Sequence, residues 1–536
     1  MQKVALGLDF GTVSVRVLLV DLTGVERGES VTPYRHGAIT QTLPGTGERL
    51  PPDFALQDPR DWLEAGAEGV RMAMRAAGVE ANDVVGIGVD FTSCTMLPAL
   101  GDGTPLCATE KFSGNKYAWP KLWKHHGARR QTDRINALAR ERCEPWLDRY
   151  GGTIGLEWFF PKMLETLEEA PDVYASTDVW LEAGDWLVWQ LTRGPARELA
   201  RSTCQAGYKA MWGREGGFPT PEFFAALDSR MADVVEAKMP GRFVAPGHAA
   251  GGLCAAMAGR FGLAEGTPIS AAIIDAHAGV PGCGAAEPGT LVMVMGTSSC
   301  HMLNADSYRT VPGVAGIVED GILPGMVGYE TGQAAVGDSF DWIRGVLGRP
   351  DFADLDRAAA ALPPGCDGVV ALDWLNGCRT PLMDGALKGA FSGLTLAHGP
   401  AHLYRALLEG SAFGLRWIVD LLREHGVPVE RFVATGGLPH HNPQLVQIYA
   451  DVLGAPVEVH PSKYGPALGA AILGACAAGP AAGFRDVTEA IRAMAMPEAV
   501  RREIRRIEPG ADAARDYPKF YERYRVLGTA ISELGK

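Results

Sequence analysis

One short pattern occurs twice in this chain of 536 residues: an apolar strand, the dipeptide Gly-Thr, and a second apolar strand. The first copy is centred on Gly11 and Thr12, and the second on Gly296 and Thr297. Each copy lies between apolar runs near the start of one half of the sequence. Repetition of a strand-turn-strand unit in both halves predicts two lobes with related cores that face each other across a cleft.

Strand-like and helix-like segments alternate along the whole chain, which is typical of an α/β fold. A helix is predicted from Pro443, since Asn442 is a favoured N-cap and proline suits the first helical position. We place the boundary between the two lobes near Gly266. The predicted domains are residues 1–262 and residues 263–536.

Composition excludes several classes of partner. The chain has 50 basic and 63 acidic residues and a net charge of −13. Proteins bind nucleic acids and anionic membranes through clustered Lys and Arg, so neither is expected to be a partner of this chain. Ten cysteines without a C-x-x-C pair favour reduced thiols and a cytoplasmic protein. The apolar stretch 467–484 is rich in Ala and Gly and contains Pro480, which favours a packing helix over a membrane span.

Several common nucleotide and hydrolase motifs are absent from the sequence. There is no G-x-x-x-x-G-K-[ST] sequence, so a P-loop is not expected. The glycine-rich segment 279–289 lacks the spacing of a dinucleotide-binding turn, and neither a G-x-S-x-G elbow nor a His/Cys metal cluster occurs. Because the net charge is −13, any bound nucleotide must be held by local backbone amides and a metal ion rather than by overall electrostatic attraction.

The two Gly-Thr turns are the candidate phosphate-binding elements. Glycine at Gly11 and Gly296 lets the backbone approach an anion, and neighbouring amides with the hydroxyls of Thr12 and Thr297 can bind phosphate oxygens. Asp9, at the end of its strand, can hold Mg²⁺ through water. Either turn alone is equally consistent with an ordinary hairpin. The pair is more specific, because two facing turns would hold a triphosphate from both sides.

Asp275 ends an apolar strand and is the candidate general base for a hydroxyl that attacks the γ-phosphate. A turn-capping role is the alternative. His277 is interpreted as a hydrogen-bonded structural residue rather than a base. Gly436 and Gly437 follow another predicted strand and permit a flat ligand such as adenine to lie against the backbone, although a simple strand-to-helix loop explains them too.

Four polar residues with apolar neighbours are candidates for binding a small polyol. They are Thr92, Ser93, Lys209 and Glu330. A polyol needs several convergent donors and acceptors, and these residue types supply them. A surface lysine and a solvated glutamate are the alternatives, since spacing alone does not show that the side chains converge.

Seven segments together carry a resemblance to a known family. They are 88–98, 157–162, 182–186, 206–210, 275–277, 295–302 and 318–322. In this order they resemble the FGGY carbohydrate kinases, and within that family the L-ribulokinase branch, over roughly residues 4 to 480. The resemblance implies two actin-like lobes of the ribonuclease H type, with sugar and phosphate binding in the first lobe and nucleotide binding in the second.

The resemblance also implies roles for individual residues and a reaction. Phosphate would bind at Asp9, Gly11, Thr12, Gly296 and Thr297, adenosine around Gly436, Gly437 and Asn442, and sugar at Thr92, Ser93, Lys209, Asp275 and Glu330. The implied reaction is transfer of phosphate from ATP, with Mg²⁺, to the 5-hydroxyl of L-ribulose in arabinose breakdown. Kinases of D-ribulose, D-xylulose or ribitol, and a non-catalytic actin-like ATP-binding protein, stay open as alternatives. A homodimer is also left open.

Overall fold

The structure, a computed structural model, describes residues 3–534, which form two seven-stranded sheets with helices around them. The strands of the first half are β1 (Val4–Phe10), β2 (Ser14–Asp21), β3 (Glu26–Pro33), β4 (Val84–Phe91), β5 (Met96–Ala99), β6 (Val179–Glu182), β7 (Ala200–Ser202), β8 (Arg242–Val244), β9 (Ala249–Gly252), β10 (Pro268–Ser270) and β11 (Ile273–Ile274). Those of the second half are β12 (Thr290–Met295), β13 (Ser299–Ala305), β14 (Gly316–Glu319), β15 (Val327–Gln333), β16 (Val370–Leu372), β17 (Ala390–Ser392), β18 (Arg431–Thr435), β19 (Val457–Val459) and β20 (Arg505–Ile507).

Helices alternate with these strands in both halves. The first half contains α1 (Pro59–Ala77), α2 (Arg129–Glu141), α3 (Phe159–Glu169), α4 (Pro171–Ser176), α5 (Ala183–Thr192), α6 (Thr203–Lys209), α7 (Pro221–Leu227), α8 (Val234–Lys238), α9 (Ala255–Phe261) and α10 (Asp275–Gly282). The second half contains α11 (Gly337–Val346), α12 (Phe352–Ala360), α13 (Pro400–Glu424), α14 (Gly437–His441), α15 (Pro443–Leu453), α16 (Gly465–Ala477), α17 (Val487–Met494), α18 (Glu498–Glu503) and α19 (Ala511–Leu534). The predicted cap of α15 is confirmed, because Asn442 Oδ1 accepts a hydrogen bond of 2.9 Å from Leu445 N.

The two large sheets share one strand order. In the first sheet β1 pairs antiparallel with β2 and parallel with β4, in the order β3-β2-β1-β4-β10-β9, and β11 also pairs with β4. In the second sheet β12 pairs antiparallel with β13 and parallel with β18, in the order β14-β15-β13-β12-β18-β19-β20. Six consecutive positions therefore correspond, β3-β2-β1-β4-β10-β9 with β15-β13-β12-β18-β19-β20, and each neighbouring pair has the same direction in both sheets. This agrees with two related lobes and with the predicted α/β class.

The first sheet continues beyond the boundary that the sequence suggested. β10 and β11 follow residue 263, yet both pair with β4 in the first sheet. The second sheet begins only with β12. A boundary between residues 262 and 263 would therefore assign β10 and β11 to the second domain, although both belong to the first sheet. The division between the two sheets falls after β11. The local strand signals were correct, but pairing between distant strands decided which sheet each one joined.

Helices α10 and α16 join the two sheets through very close packing. α16 lies against β1 and β4 of the first sheet and against α10, and one apolar cluster contains residues of both lobes. A Cβ atom at Gly88 would lie only 1.7 Å from the carbonyl oxygen of Ala470, and one at Gly469 only 1.8 Å from that of Ala278. Glycine is required at these positions because backbone meets backbone there.

The small-residue helix predicted within 467–484 is confirmed as α16, which ends before Pro480. Each lobe has a further apolar core of its own. Within residues 3–534, no helix combines the length and the apolar character needed to cross a membrane.

Candidate active site

Three aspartates lie at the carboxyl ends of neighbouring strands in the first sheet. Asp9 on β1 is directly opposite Asp90 on β4 in a parallel pair. On the other side of β4, Ile273 of β11 is opposite Asp90, and Asp275 follows that strand at once. The carboxyl ends of parallel strands meet at one edge of a sheet, which is a usual place for ligands in α/β proteins. Sequence reasoning selected Asp9 and Asp275 but not Asp90, although Asp90 also ends an apolar run.

Burial and mutual repulsion make this group of acids hard to ionise. Burial, and then the charge of Asp9, raise the pKa of Asp275 to about 7. Burial, followed by Asp9 and Asp275, raises the pKa of Asp90 well above its usual range. Burial also raises the pKa of Asp9, although Arg16 Nη1, 3.0 Å from Asp9 Oδ2, opposes this effect. Asp275 is thus a carboxyl group that changes charge near neutral pH.

The two predicted Gly-Thr turns are both hairpins in equivalent positions of the two sheets. Gly11 N donates to Ser14 O over 3.0 Å between β1 and β2, and Gly296 N donates to Ser298 O over 2.9 Å between β12 and β13. In the first turn, Thr12 Oγ1 accepts a hydrogen bond of 3.0 Å from Trp123 Nε1. In the second turn, Thr297 is exposed.

The second hairpin is fixed by its neighbours on two sides. The carbonyl groups of Gly296 and Thr297 accept hydrogen bonds from the backbone at the start of α11. On the other side, a Cβ at Gly436 would lie 2.5 Å from Met295 O, and Gly436 has a φ of +89°. The predicted nucleotide residue Gly436 therefore adjoins the second hairpin directly, and only glycine suits that backbone.

Gly437 and Asn442 stand at the two ends of the short helix α14. Gly437 is the first residue of that helix and is exposed. Asn442 is buried, and both of its polar groups are engaged: Oδ1 caps α15, and Nδ2 donates to Asp356 Oδ1 over 2.9 Å. Its structural role is clear, and its contact with adenosine stays a prediction.

Lys209 and Glu330 form a buried ion pair between segments that are far apart in the sequence. Lys209 Nζ on α6 lies 2.9 and 3.1 Å from the two carboxylate oxygens of Glu330 on β15. Although burial opposes both charges, Glu330 raises the pKa of Lys209, and Lys209 helps to lower that of Glu330. The alternatives of a surface lysine and a solvated glutamate are therefore wrong.

His277 lies beside this ion pair. Its Nε2 is 3.5 Å from Glu330 Oε2, and burial lowers the pKa of the ring to about 4. Among the described residues neither ring nitrogen makes a hydrogen bond, so the expectation of a hydrogen-bonded structural histidine is wrong. The ring is neutral at pH 7 and packs against Tyr208, with ring centres 4.2 Å apart.

Thr92 and Ser93 follow β4, next to the aspartates. Thr92 N donates to Phe10 O over 3.2 Å, and its hydroxyl lies 2.7 Å from that of Thr95. The Ser93 hydroxyl is buried, and none of the described residues bonds to it. A buried hydroxyl without a protein partner is available to a ligand.

A polar cavity of about 540 Å³ opens beside the Lys209–Glu330 pair. Its walls include Glu157 and Trp158 from the first half of the chain and Arg379 from the second half. The volume and the mixture of polar groups suit a small sugar. Glu157 entered the sequence analysis only as the first residue of segment 157–162, without a role of its own, and Arg379 was not selected, because an isolated charged residue in a loop carries no local signal.

A second cavity, of about 580 Å³, lies away from these residues and is lined by Arg35, His36 and Arg60, among others. His36 Nδ1 is 3.0 Å from Asp61 Oδ1, and Arg60 bonds to both oxygens of Asp58. His36 and Arg60 are thus already paired with carboxylates, and the aspartates at the sheet edge, Lys209 and Glu330 do not line this cavity, so it is not the candidate site.

Comparison with known proteins agrees with this geometry. The profile of the FGGY family of carbohydrate kinases, C-terminal domain, matches residues 291–478. The ribulokinase of Anoxybacillus flavithermus is 44% identical over 539 residues, which span 98% of this chain and 94% of that protein. The ribulokinase of Mycolicibacterium smegmatis is 45% identical over 502 residues, which span 91% of this chain and 88% of that protein.

A solved structure supports the architecture. The xylulose kinase of Rhodospirillum rubrum superposes with a TM-score of 0.80 at 22% identity and covers 99% of this chain and 100% of its own. At that identity the likeness shows the fold alone, which is the two-lobed fold expected. Taken with the curated relatives, these matches show that the chain belongs to the FGGY family of carbohydrate kinases.

Proposed function

We propose that this kinase is a ribulokinase that transfers the γ-phosphoryl group of ATP to the 5-hydroxyl of L-ribulose and yields L-ribulose 5-phosphate for arabinose breakdown. The observation that carries the proposal is the 44% identity to a curated ribulokinase over 98% of the chain. The buried Lys209–Glu330 pair and the cavity beside it support a small polyol as the acceptor.

The residues around Asp9 fit a hydrated Mg²⁺ ion. Mg²⁺ prefers oxygen ligands and usually keeps several waters. Asp9 and Asp90 supply carboxylate oxygens at one sheet edge, and both oxygens of Asp90 are buried without a hydrogen-bond donor among the described residues. In the proposal Asp9 holds the ion through water, and Mg²⁺, when bound, neutralises charge on the phosphates of ATP.

In the proposed mechanism Asp275 removes the proton of the 5-hydroxyl as its oxygen attacks the γ-phosphorus. A new O–P bond forms, the bond from the γ-phosphorus to the bridging oxygen breaks, and ADP leaves. A pKa of about 7 lets Asp275 accept the proton at neutral pH. Since Gly11 N and Gly296 N are already bonded within the hairpins, the other amides and the hydroxyls of the two hairpins bind the phosphates in the proposal, and positioning provides most of the catalysis.

Lys209 and Glu330 bind hydroxyl groups of the sugar in this proposal. The ammonium group offers three donors, and the carboxylate offers acceptors. Thr92 and the unpaired hydroxyl of Ser93 complete the sugar site. Because Lys209 is on α6 of the first half and Glu330 is on β15 of the second sheet, a sugar bound beside the pair contacts both halves of the chain. Closure of the lobes over this sugar would exclude water that would otherwise take the phosphoryl group.

The roles of the two lobes follow from these assignments. In the proposal the first lobe binds sugar and the metal ion, and the second lobe binds adenosine through Gly436, Gly437 and the region of Asn442. The support is the contact of Gly436 with the second hairpin. The exposed position of Gly437 leaves its backbone accessible to a flat ring.

An assay of ADP release tests the proposal. The purified protein is given MgATP with L-ribulose, D-ribulose, D-xylulose or ribitol, and the position of the phosphate in the product is found by NMR. We expect the highest kcat/KM for L-ribulose and phosphate on O5. A tenfold preference for another substrate refutes the assignment to L-ribulose, and ADP release that does not depend on any sugar refutes the kinase mechanism.

A further inference from the structure

Arg379 lies on the cavity wall against Gly332 of β15. A Cβ at Gly332 would lie 2.7 Å from Ser299 O and 3.2 Å from Arg379 Nη1, so the neighbouring strand and the guanidinium together fill the space beside this glycine. Thr380 N donates to Gly332 O over 3.2 Å and holds the loop there. Gly332 and Glu330 are two residues apart on one strand and therefore share a face, about 7 Å apart.

The guanidinium of Arg379 has more donors than the protein satisfies. It carries five N–H groups, and the one acceptor found among the described residues is Cys300 Sγ, 3.7 Å from Nη1. Sulfur is a weak acceptor, and no described carboxylate forms a salt bridge with Arg379. A cation in a cavity wall with unused donors is suited to a ligand oxygen that only accepts.

Glu157 provides the complementary group in the same cavity. Its carboxylate folds over Gly155, where a Cβ would lie 2.6 Å from Oε2, and we find no hydrogen bond or salt bridge to it in the described part of the chain. The next residue, Trp158, places its ring 5.6 Å from Lys209 Nζ. Glu157 therefore lies close to the proposed sugar site and offers only acceptors.

We infer that Arg379 and Glu157 select ketoses by binding the C1–C2 end of the sugar, with Arg379 donating to the ketone oxygen and Glu157 accepting from the C1 hydroxyl. This inference rests on the proposed function. A ketone oxygen accepts but cannot donate, so a donor-only guanidinium matches it fully. The C2 hydroxyl of a pentitol also carries a proton, which finds no acceptor at Arg379.

The positions of the charged groups agree with this orientation of the sugar. Glu330 and Arg379 both line the cavity, whereas Asp275 is not among its lining residues. Asp275 begins α10, and on the same helix His277 Nε2 lies 3.5 Å from Glu330 Oε2. Glu330 therefore lies near both ends of the proposed site, so a sugar with its 5-hydroxyl at Asp275 can extend past Glu330 and place C1 and C2 at Arg379.

The test compares a ketose with a pentitol in matched variants. We would measure kcat/KM for L-ribulose and for ribitol with the wild-type protein, Arg379→Met, Arg379→Lys and the control Arg357→Met, whose side chain is exposed on α12. We expect Arg379→Met to lower kcat/KM for L-ribulose by about 10²-fold and to lower the ketose-to-pentitol ratio at least tenfold. Arg379→Lys should have an intermediate ratio, since it keeps the charge but not the fork of donors.

Each outcome decides a different claim. If Arg379→Met lowers kcat/KM equally for both substrates, the inference is wrong and the ribulokinase proposal stands. If the wild-type protein does not phosphorylate any pentulose, both are wrong. Thermal unfolding and MgATP affinity establish that the variants are folded. If Arg379→Met does not fold, an unchanged ratio in Arg379→Lys overturns the inference by itself.

Discussion

Replacement of Asp275 by Asn tests the proposed chemistry most directly. The substitution keeps the shape of the side chain but removes the group that accepts the proton of the sugar hydroxyl. Loss of a general base lowers kcat by about 10²–10⁴-fold, and we expect about 10³-fold or more here. MgATP should still bind, because Asp275 is not among the residues proposed to hold the phosphates.

The pKa of Asp275 independently predicts how the rate of the wild-type protein depends on pH. Because this pKa is about 7, the active carboxylate is lost as the pH falls. About nine tenths of the molecules carry the carboxylate at pH 8 and about one tenth at pH 6, so the wild-type rate should fall roughly tenfold between these values. The residual activity of Asp275→Asn should lack this step.

The raised pKa also predicts an effect on stability. The neutral form of Asp275 is favoured in the folded state, so its contribution to stability is present below the unfolded pKa of 3.8 and is lost as the pH rises through about 7. Asp275→Asn should therefore become more stable relative to the wild type as the pH rises from 5 to 8. The gain between pH 5 and pH 8 is at most about 3 kcal/mol and is smaller in practice, because solvent reaches the half-buried side chain.

The assays are kcat against pH with saturating MgATP and L-ribulose, calorimetry of ATP binding, and thermal unfolding at pH 5 and 8. The control is Asp306→Asn, which removes an exposed carboxylate. A rate that does not change between pH 6 and 8, or near-normal turnover by Asp275→Asn, would refute the assignment of Asp275 as the base.

Three further predictions concern the ion pair, the sheet-helix contact and the metal ion. Lys209→Met leaves the buried Glu330 charge unpaired, which costs about 3–5 kcal/mol. The Lys209→Met variant should therefore unfold at a lower temperature than the double variant Lys209→Met/Glu330→Gln. Equal unfolding midpoints would contradict this prediction. Gly88→Ala should lower the thermal midpoint through a loss of about 1–3 kcal/mol or more, whereas Gly259→Ala, with open space around its Cβ, should not; equal midpoints would count against the close packing. Asp9→Asn should raise the KM for MgATP at least tenfold with little change in sugar affinity, and an unchanged dependence on Mg²⁺ would remove Asp9 from metal binding.

The local features of this protein were predictable from its sequence. The two Gly-Thr hairpins depend on turn residues between apolar strands, and the cap of α15 depends on Asn442 and Pro443. The repeat of one hairpin in both halves predicted related lobes, and the strand order confirms it. Each of these features results from residues within a few positions of one another, where backbone geometry and short hydrogen bonds decide the conformation.

Only the tertiary structure decided which distant groups meet. The Lys209–Glu330 pair, the membership of β10 and β11 in the first sheet, and the position of Arg379 over Gly332 all join segments far apart in the chain. The role of Asp90 was likewise not predictable from the sequence, because its local sequence indicates only the end of a strand. The pairing of β4 with β1 and β11 places Asp90 between two other carboxylates. The physical reason is that burial and charge depend on neighbours in space, and the pairing of strands and the packing of helices select those neighbours.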